Sequence, residues 1–352
     1  MCLDGGRIAA IDGDPVTEAA ARSDTRTALL IPGFIDLHLH GGGGADTMQA
    51  GAAIDTITRL HARYGTTSLL ATTMTAPLTE IEAALRALAP RLADRACGAA
   101  RVLGVHLEGP YIHPERLGAQ PPFARTPSLP EILALHRLAP IRVITLAPET
   151  DGALALIPAL VDAGLRVQIG HSAASYEQAC NALAAGASGF THLFNARGAF
   201  HHRQPGVVGA ALAHGEQAEL IPDLLHVHPG AMRAAWRALP RLHAVTDATA
   251  ATGMPDGDYQ LGRQTVHKRD GAVRLADGTL AGSTLTMDQA LRNLVLLGLS
   301  LAQASACTSL YAAQYLGLVD RGRLQAGAWA DVLELQADTL QLRRVFVEGE
   351  PV

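Results

Sequence analysis

Short apolar, β-rich runs alternate with longer stretches of helical periodicity through most of the chain. That rhythm is the one expected of βα units built around a parallel sheet. The pattern predicts strands at 29–39, 67–72, 101–107, 141–146, 165–169, 189–193, 220–227 and 242–246. Eight is the number that closes a barrel. Between them it predicts helices at 54–63, 78–93, 129–137, 153–163 and 176–185, several opened by Thr, Ser or Asp in capping position. After the eighth strand the alternation breaks. Residues 254–279 are rich in Gly and Asp with short alternating runs, which predicts a hairpin-like insertion, and helices near 287–297 and 301–316 follow. The first 28 or so residues and the last 35 or so are strands and turns again, including 7–11 and 342–347. The prediction is therefore an α/β chain: a (β/α)8 TIM-type barrel over 31–316, with residues 1–30 and 317–352 meeting in one small β module.

Length agrees with this, since such barrels take ~250 residues and the chain has 352. Composition then narrows the function. Hydrophobic residues make up 48% and charged ones 17%, enough to fill a large core and too apolar for a long disordered tail. A net charge of -5 offers no broad basic field, which argues against nucleic acid and anionic membrane as partners. Any anion must be held locally. No stretch reaches the ~18 uninterrupted apolar residues of a membrane span, and the first residues lack a signal-peptide pattern. Cys2, Cys97, Cys180 and Cys307 are scattered without a CxxC pair, which fits reduced thiols and predicts a cytoplasmic protein. The single lysine, Lys268, reads as compositional bias.

The sharpest local signal is Pro32-Gly33-Phe34-Ile35-Asp36-Leu37-His38-Leu39-His40-Gly41. Side chains alternate along a strand, so His38 and His40 share a face and two imidazoles can reach one metal. Four other predicted strands also end in polar chemistry, at His106-Leu107-Glu108, Gly170-His171-Ser172, Thr191-His192-Leu193 and Thr246-Asp247-Ala248. In a barrel those ends converge on one rim. Glu108, His171 and His192 form a mixed carboxylate and imidazole set suited to zinc or a similar divalent ion. Asp247 is placed to act as general base toward water and then as acid toward a departing amine. Each has a plainer reading when taken alone: a packed histidine, or a carboxylate capping a helix. Several at successive strand ends favour the chemical one.

The segments HLEGP at 106–110, GHS at 170–172, THLFNA at 191–196, RQPG at 203–206, LHV at 225–227, TDAT at 246–249 and LAGSTLTM at 280–287 resemble, in order and spacing, the N-acetylglucosamine-6-phosphate deacetylases of the amidohydrolase superfamily. The resemblance runs from about Pro32 to Asp331. It implies a barrel with a small β-sandwich, a homodimer, and hydrolysis of the N-acetyl group of an amino-sugar 6-phosphate. It implies that Glu108, His171 and His192 hold the main metal, that His38 and His40 stand where some members bind a second ion, and that Asp247 is the acid/base. Asn195, Ala196, Arg203 and His226 are implied at the sugar phosphate, and Leu280, Ala281 and Gly282 along the sugar. One departure stands out. Where members carry a histidine that contacts the substrate amide, this chain has Ala119-Gln120, and Gln120 can donate a hydrogen bond but cannot become a cation. Gln120 or His113 is the candidate to help hold the oxyanion.

Two other functions compete with this one. The first is another amidohydrolase reaction, such as deacylation of an N-acyl amino acid or opening of a cyclic amide. The second is a non-catalytic barrel serving as an interaction protein, against which the intact set Glu108, His171, His192 and Asp247 argues.

Overall fold

The computed structural model describes residues 1–11 and 28–352; the predicted N-terminal part of the β module between these ranges lies outside the described residues. Strands Phe34–Leu39, Thr66–Thr72, Arg101–Glu108, Ile141–Leu146, Arg166–Ile169 and Gly189–Phe190 pair in parallel and in chain order into one curled sheet. Gln217–Leu220 and Arg241–Ala244 form a second parallel pair. Backbone bonds reach across both gaps: the Leu193 N–H donates to Glu219 O and the Asp247 N–H to His38 O, each at 2.8 Å.

Helices Ala53–Arg63, Leu78–Ala93, Leu129–Leu138, Ala153–Asp162, Tyr176–Ala184, Gly206–His214 and Pro229–Ala238 make the crossovers. Ala53–Arg63 shows why they dock. Ile54, Ile57, Thr58, His61 and Ala62 recur at helical spacing on one buried face. Tyr176–Ala184 starts where Ser175 and Gln178 exchange hydrogen bonds in a capping box. Strands covered on both sides bury every residue, as all seven of Thr66–Thr72 do. The largest apolar cluster lies between sheet and helices, where each fully buried Leu, Ile or Val contributes roughly 1.5–3 kcal/mol. Inside the curl the filling is polar. His106 Nε2 meets Thr145 Oγ1 at 2.8 Å, Thr145 Oγ1 meets Thr191 Oγ1 at 2.8 Å, and Thr191 Oγ1 donates to Gln168 Oε1 at 2.9 Å.

Several boundaries differ from the predicted ones, each for a local reason. The run 29–39 is two strands, Ala28–Pro32 and Phe34–Leu39. They part at Gly33, where a Cβ would sit 2.2 Å from Thr67 Oγ1, and Pro32 has no N–H for a ladder. The seventh strand is Gln217–Leu220 and not 220–227. Pro222 follows it, Asp223 Oδ1 accepts from the Leu225 and His226 N–H groups, and Leu224 turns left-handed at φ 67°. The apolar run at 224–227 is therefore a turn. The predicted helix 301–316 carries a π-helical segment at Ala306–Leu310 between Leu301–Ser305 and Tyr311–Tyr315.

Ala28–Pro32 pairs with Val332–Gln336 in a four-stranded sheet completed by Leu342–Val347 and Glu350–Pro351. Cys2–Asp4 and Arg7–Ala10 form a separate ribbon, anchored where the Ile8 N–H donates to Ala328 O. The insertion is a three-stranded sheet, Gly257–Leu261, Gln264–Arg269 and Ala272–Arg274. Lys268 Nζ donates to Ala251 O and Met254 O, so the single lysine fastens this sheet to the loop after Arg241–Ala244.

Candidate active site

Strand alternation and strand ends build the site. His38 and His40 leave Phe34–Leu39 and its end on one face, and Glu108 closes Arg101–Glu108. His171, His192 and Asp247 each stand just past a strand with left-handed backbone, at φ 47°, 28° and 51°. Such conformations strain an L-residue and persist where the surroundings hold them. Neighbouring glycines make room for two of these turns. A Cβ on Gly170 would lie 2.6 Å from Thr191 Cβ, and one on Gly282 would lie 2.8 Å from Asp247 O.

The side chains converge. Glu108 Oε1 is 3.0 Å from His171 Nε2 and 3.0 Å from His192 Nε2, and the two Nε2 atoms are 3.1 Å apart. Glu108 Oε2 faces the other way, 3.1 Å from His40 Nε2 and 3.4 Å from His38 Nε2. Asp247 Oδ1 completes that side at 3.3 Å from His40 Nε2 and 3.6 Å from His38 Nε2. All are buried; Asp247, at 8% exposure, is the most open of the six.

With all four rings neutral, the protons cannot satisfy this arrangement. His171 Nδ1 donates to Arg116 O at 2.8 Å and His38 Nδ1 to Glu219 Oε2 at 2.8 Å, so in the neutral rings both Nε2 atoms are lone pairs aimed into the cluster. His40 Nδ1 and His192 Nδ1 are buried with no partner among the described residues. Burial opposes the charge on Glu108 and Asp247, yet the histidines outweigh it and hold both carboxyls below their ordinary range. Burial also opposes a charge on His40, but Asp247 and Glu108 outweigh it and raise its pKa to about 9, so positive charge is favoured between the two carboxylates. Two carboxylates thus favour positive charge at common points, toward which four imidazoles turn Nε2 atoms that are acceptors in the neutral rings. That is the donor set a divalent cation takes.

A cavity of about 220 Å³ opens beside the cluster. His40, Glu108, His171, His192 and Asp247 line it, with Ala119, Gln120, Asn195, Ala196, His226, Leu280 and Gly282 from the sequence-derived set. Met74, Leu261 and Thr279 line it too, and sequence reasoning missed them. His226 Nδ1 donates to Asp223 Oδ2 at 2.7 Å. Burial opposes its charge, but Asp223 prevails and raises its pKa. Four candidates do not line the cavity. His38 is fully buried behind the cavity wall, Ala281 packs into the core with its N–H on Val273 O, and Arg203 is exposed and outside the lining. His113 is outside it as well. Gln120 does line the cavity, but its amide is engaged. Oε1 accepts the Thr75 N–H and Nε2 donates to Glu108 Oε2, both at 2.7 Å.

A model of the amidohydrolase family matches residues 29–352. The chain is 42% identical over 355 residues to the N-acetylgalactosamine-6-phosphate deacetylase of Escherichia coli O157:H7, covering 98% of this chain and 92% of that protein. It is 40% identical over 339 residues to the N-acetylglucosamine-6-phosphate deacetylase of Lysinibacillus sphaericus, covering 93% and 87%. Among solved structures, a variant of the N-acetyl-D-glucosamine-6-phosphate deacetylase of Mycobacterium smegmatis in complex with N-acetyl-D-glucosamine-6-phosphate superimposes with a TM-score of 0.90 at 35% identity, covering 99% of this chain and 93% of that one.

Proposed function

The chain belongs to the N-acetylglucosamine-6-phosphate deacetylase family of amidohydrolases, and we propose that it hydrolyses the N-acetyl group of an amino-sugar 6-phosphate, N-acetylglucosamine 6-phosphate in the first instance, to acetate and the free amine. The observation that carries this is the convergence of Glu108, His171, His192 and Asp247 beside a cavity that also presents His226.

Glu108, His171 and His192 would hold the main divalent ion in this reading, zinc being one that such donors suit, and His38 and His40 with Asp247 would hold a second ion. When bound, such an ion polarises an amide carbonyl and acidifies water. The chain's own residues do the rest. Asp247, ionised at neutral pH, takes a proton from the water that attacks the acetyl carbon. The protonated carboxyl then returns it to the amide nitrogen as the C–N bond breaks. His226 offers a cationic edge to the 6-phosphate, with Asn195 and Ala196 beside it. Leu280 and Gly282 line the sugar, and Ala281 supports them from behind. Arg203 is assigned to the phosphate by the RQPG resemblance alone. Gln120 contributes a substrate contact only through its remaining amide proton, since its other bonds are used within the protein.

We read the two parallel sheets as one closed (β/α)8 barrel over 31–316, supported by the bonds that span both gaps. Of the described residues, 1–11, 28–30 and 317–352 then form the accessory module, and the chain works as a homodimer. Cytoplasmic residence is supported by four unpaired cysteines. No helix among the described residues is long and apolar enough to cross a membrane.

The test is acetate release from N-acetylglucosamine, N-acetylgalactosamine and their 6-phosphates, run with metal analysis before and after chelation. The expected result is turnover confined to 6-phosphates and lost with the metal. Full activity in the chelated protein, or equal turnover of the unphosphorylated sugars, overturns the reading.

A further inference from the structure

Strand Gln217–Leu220 carries a side chain that no step above uses. Glu219 is fully buried inside the curl of the sheet, directly behind the histidines. Its Oε2 accepts two bonds, from His38 Nδ1 at 2.8 Å and from the backbone N–H of His192 at 3.1 Å. Its Oε1 has no hydrogen-bond partner among the described residues. His106 Nδ1 lies 3.8 Å away and donates to Leu37 O instead. A carboxylate desolvated this completely is costly to keep, and replacing it with an apolar residue of similar size is often tolerated by a core. Its two bonds both lead to residues of the candidate metal cluster.

We propose that Glu219 is a positioning residue for the metal centre, one carboxylate that orients His38 through its ring and His192 through its backbone. A neutral imidazole has one N–H. With that proton committed to Glu219 through Nδ1, His38 must present a lone pair at Nε2, 3.4 Å from Glu108 Oε2 and 3.6 Å from Asp247 Oδ1. Without Glu219 the ring can carry its proton on Nε2 or rotate, and either change makes it a poorer ligand. His192 gains a different kind of support. Its amide is held while its backbone sits at φ 28°, a conformation that needs holding for Nε2 to stay 3.0 Å from Glu108 Oε1. Carboxylates that brace a ligand histidine also raise its basicity, and their loss typically costs 10–100-fold in metal affinity.

This inference rests on the metal reading of the cluster, so the experiment separates the two. The metal-free full-length chain is titrated with Co²⁺, following heat and visible absorption, for the wild type and for Glu219→Leu, Glu219→Gln, Glu219→Asp and His38→Ala. Glu219→Leu is expected to weaken Co²⁺ binding by about 10–100-fold and to alter the cobalt spectrum. Glu219→Gln keeps an acceptor for both N–H groups and is expected to lose less. Glu219→Asp, whose acceptor is drawn back by one methylene, should fall between Leu and Gln. If Glu219→Leu does not fold, equal affinity of the Asp, Gln and wild-type chains overturns the proposal. Folded Glu219 variants that match the wild type in affinity and spectrum, while His38→Ala does not, overturn it and leave the metal reading standing. Cobalt affinity untouched in His38→Ala and in a matching His171→Ala chain removes the metal reading itself.

Discussion

Two groups of buried charges in this molecule look alike in composition and differ in how they are closed. Near the chain ends, Glu348 takes bonds from Arg101 at 2.7 and 2.9 Å, from Arg95 at 3.1 Å and from Arg321, which also pairs with Asp331. Every charge there meets an opposite one from the same chain. At the strand ends, Glu108, Asp247 and four histidines turn acceptor atoms toward one another at 3.0–3.6 Å. The first group is a joint that fastens the C-terminal strands to the start of Arg101–Glu108. The second holds no Arg or Lys, only imidazoles that can give up their protons, and so can act as a ligand shell. A buried cluster is thus read by asking which charge it lacks, and only the second asks for a cation.

The largest effect expected from breaking this contrast is kinetic. Asp247→Asn keeps the size and a potential ligand oxygen but removes the base, so kcat should fall by about 10²–10⁴-fold with metal content unchanged. Acetate release and metal analysis on one preparation decide it. Near-normal turnover in that variant ends the role given to Asp247.

The next effect falls on stability and leaves chemistry alone. Glu348→Ala strands Arg101 and leaves Arg321 with Asp331 alone in a mostly buried site, where breaking a pair by removing one partner costs up to roughly 3–5 kcal/mol. Urea unfolding should register this loss while Co²⁺ affinity stays at the wild-type value. Lost metal affinity would show that the two clusters are not independent. Acid titration gives the matching sign. Burial opposes the charge on Glu348, but Arg101 and Arg321 outweigh it and hold its pKa at about 2, below the ordinary 4.5. The group's contribution is therefore present above pH 4.5 and lost as pH falls toward 2. Glu348→Gln should flatten that part of the stability curve, and an unchanged slope would assign it to other carboxylates.

The same contrast explains what could be read from sequence. Asp247, Glu108, His171 and His192 are legible because each interrupts or ends an apolar run, and a parallel sheet turns such ends into neighbours. His38 and His40 are legible through the two-residue period of a strand. Glu219 offers a similar signal, an acid directly before Leu220-Ile221, but the predicted seventh strand begins after it and so leaves the acid outside. Ala281 and Gln120 carry no mark of their partners in a linear pattern. Ala281 turns out to be core, and Gln120 spends its amide on Thr75 and Glu108. Met74 and Leu261 reach the cavity from a strand-end loop and from the insertion, a meeting that only the folded chain reveals.

The smallest effect concerns a pair that shares features of both clusters. His226 is closed by Asp223 on Nδ1, like the joint, yet the residue lines the cavity, like the ligand shell. Burial lowers its pKa, and Asp223, with help from Asp247, more than restores it, so the cation persists above the ordinary 6.5. A charge-assisted bond to phosphate contributes about 1.5–3 kcal/mol, which is roughly 10–100-fold in KM. KM for a 6-phosphate substrate should therefore be lowest where the phosphate is a dianion and His226 still a cation, and rise at higher pH as His226 loses its proton, while KM for an unphosphorylated sugar stays flat. His226→Gln should raise the 6-phosphate KM across the range and abolish the rise. If KM climbs equally for both sugars, the titrating group lies at the reacting amide and His226 has no part in holding phosphate.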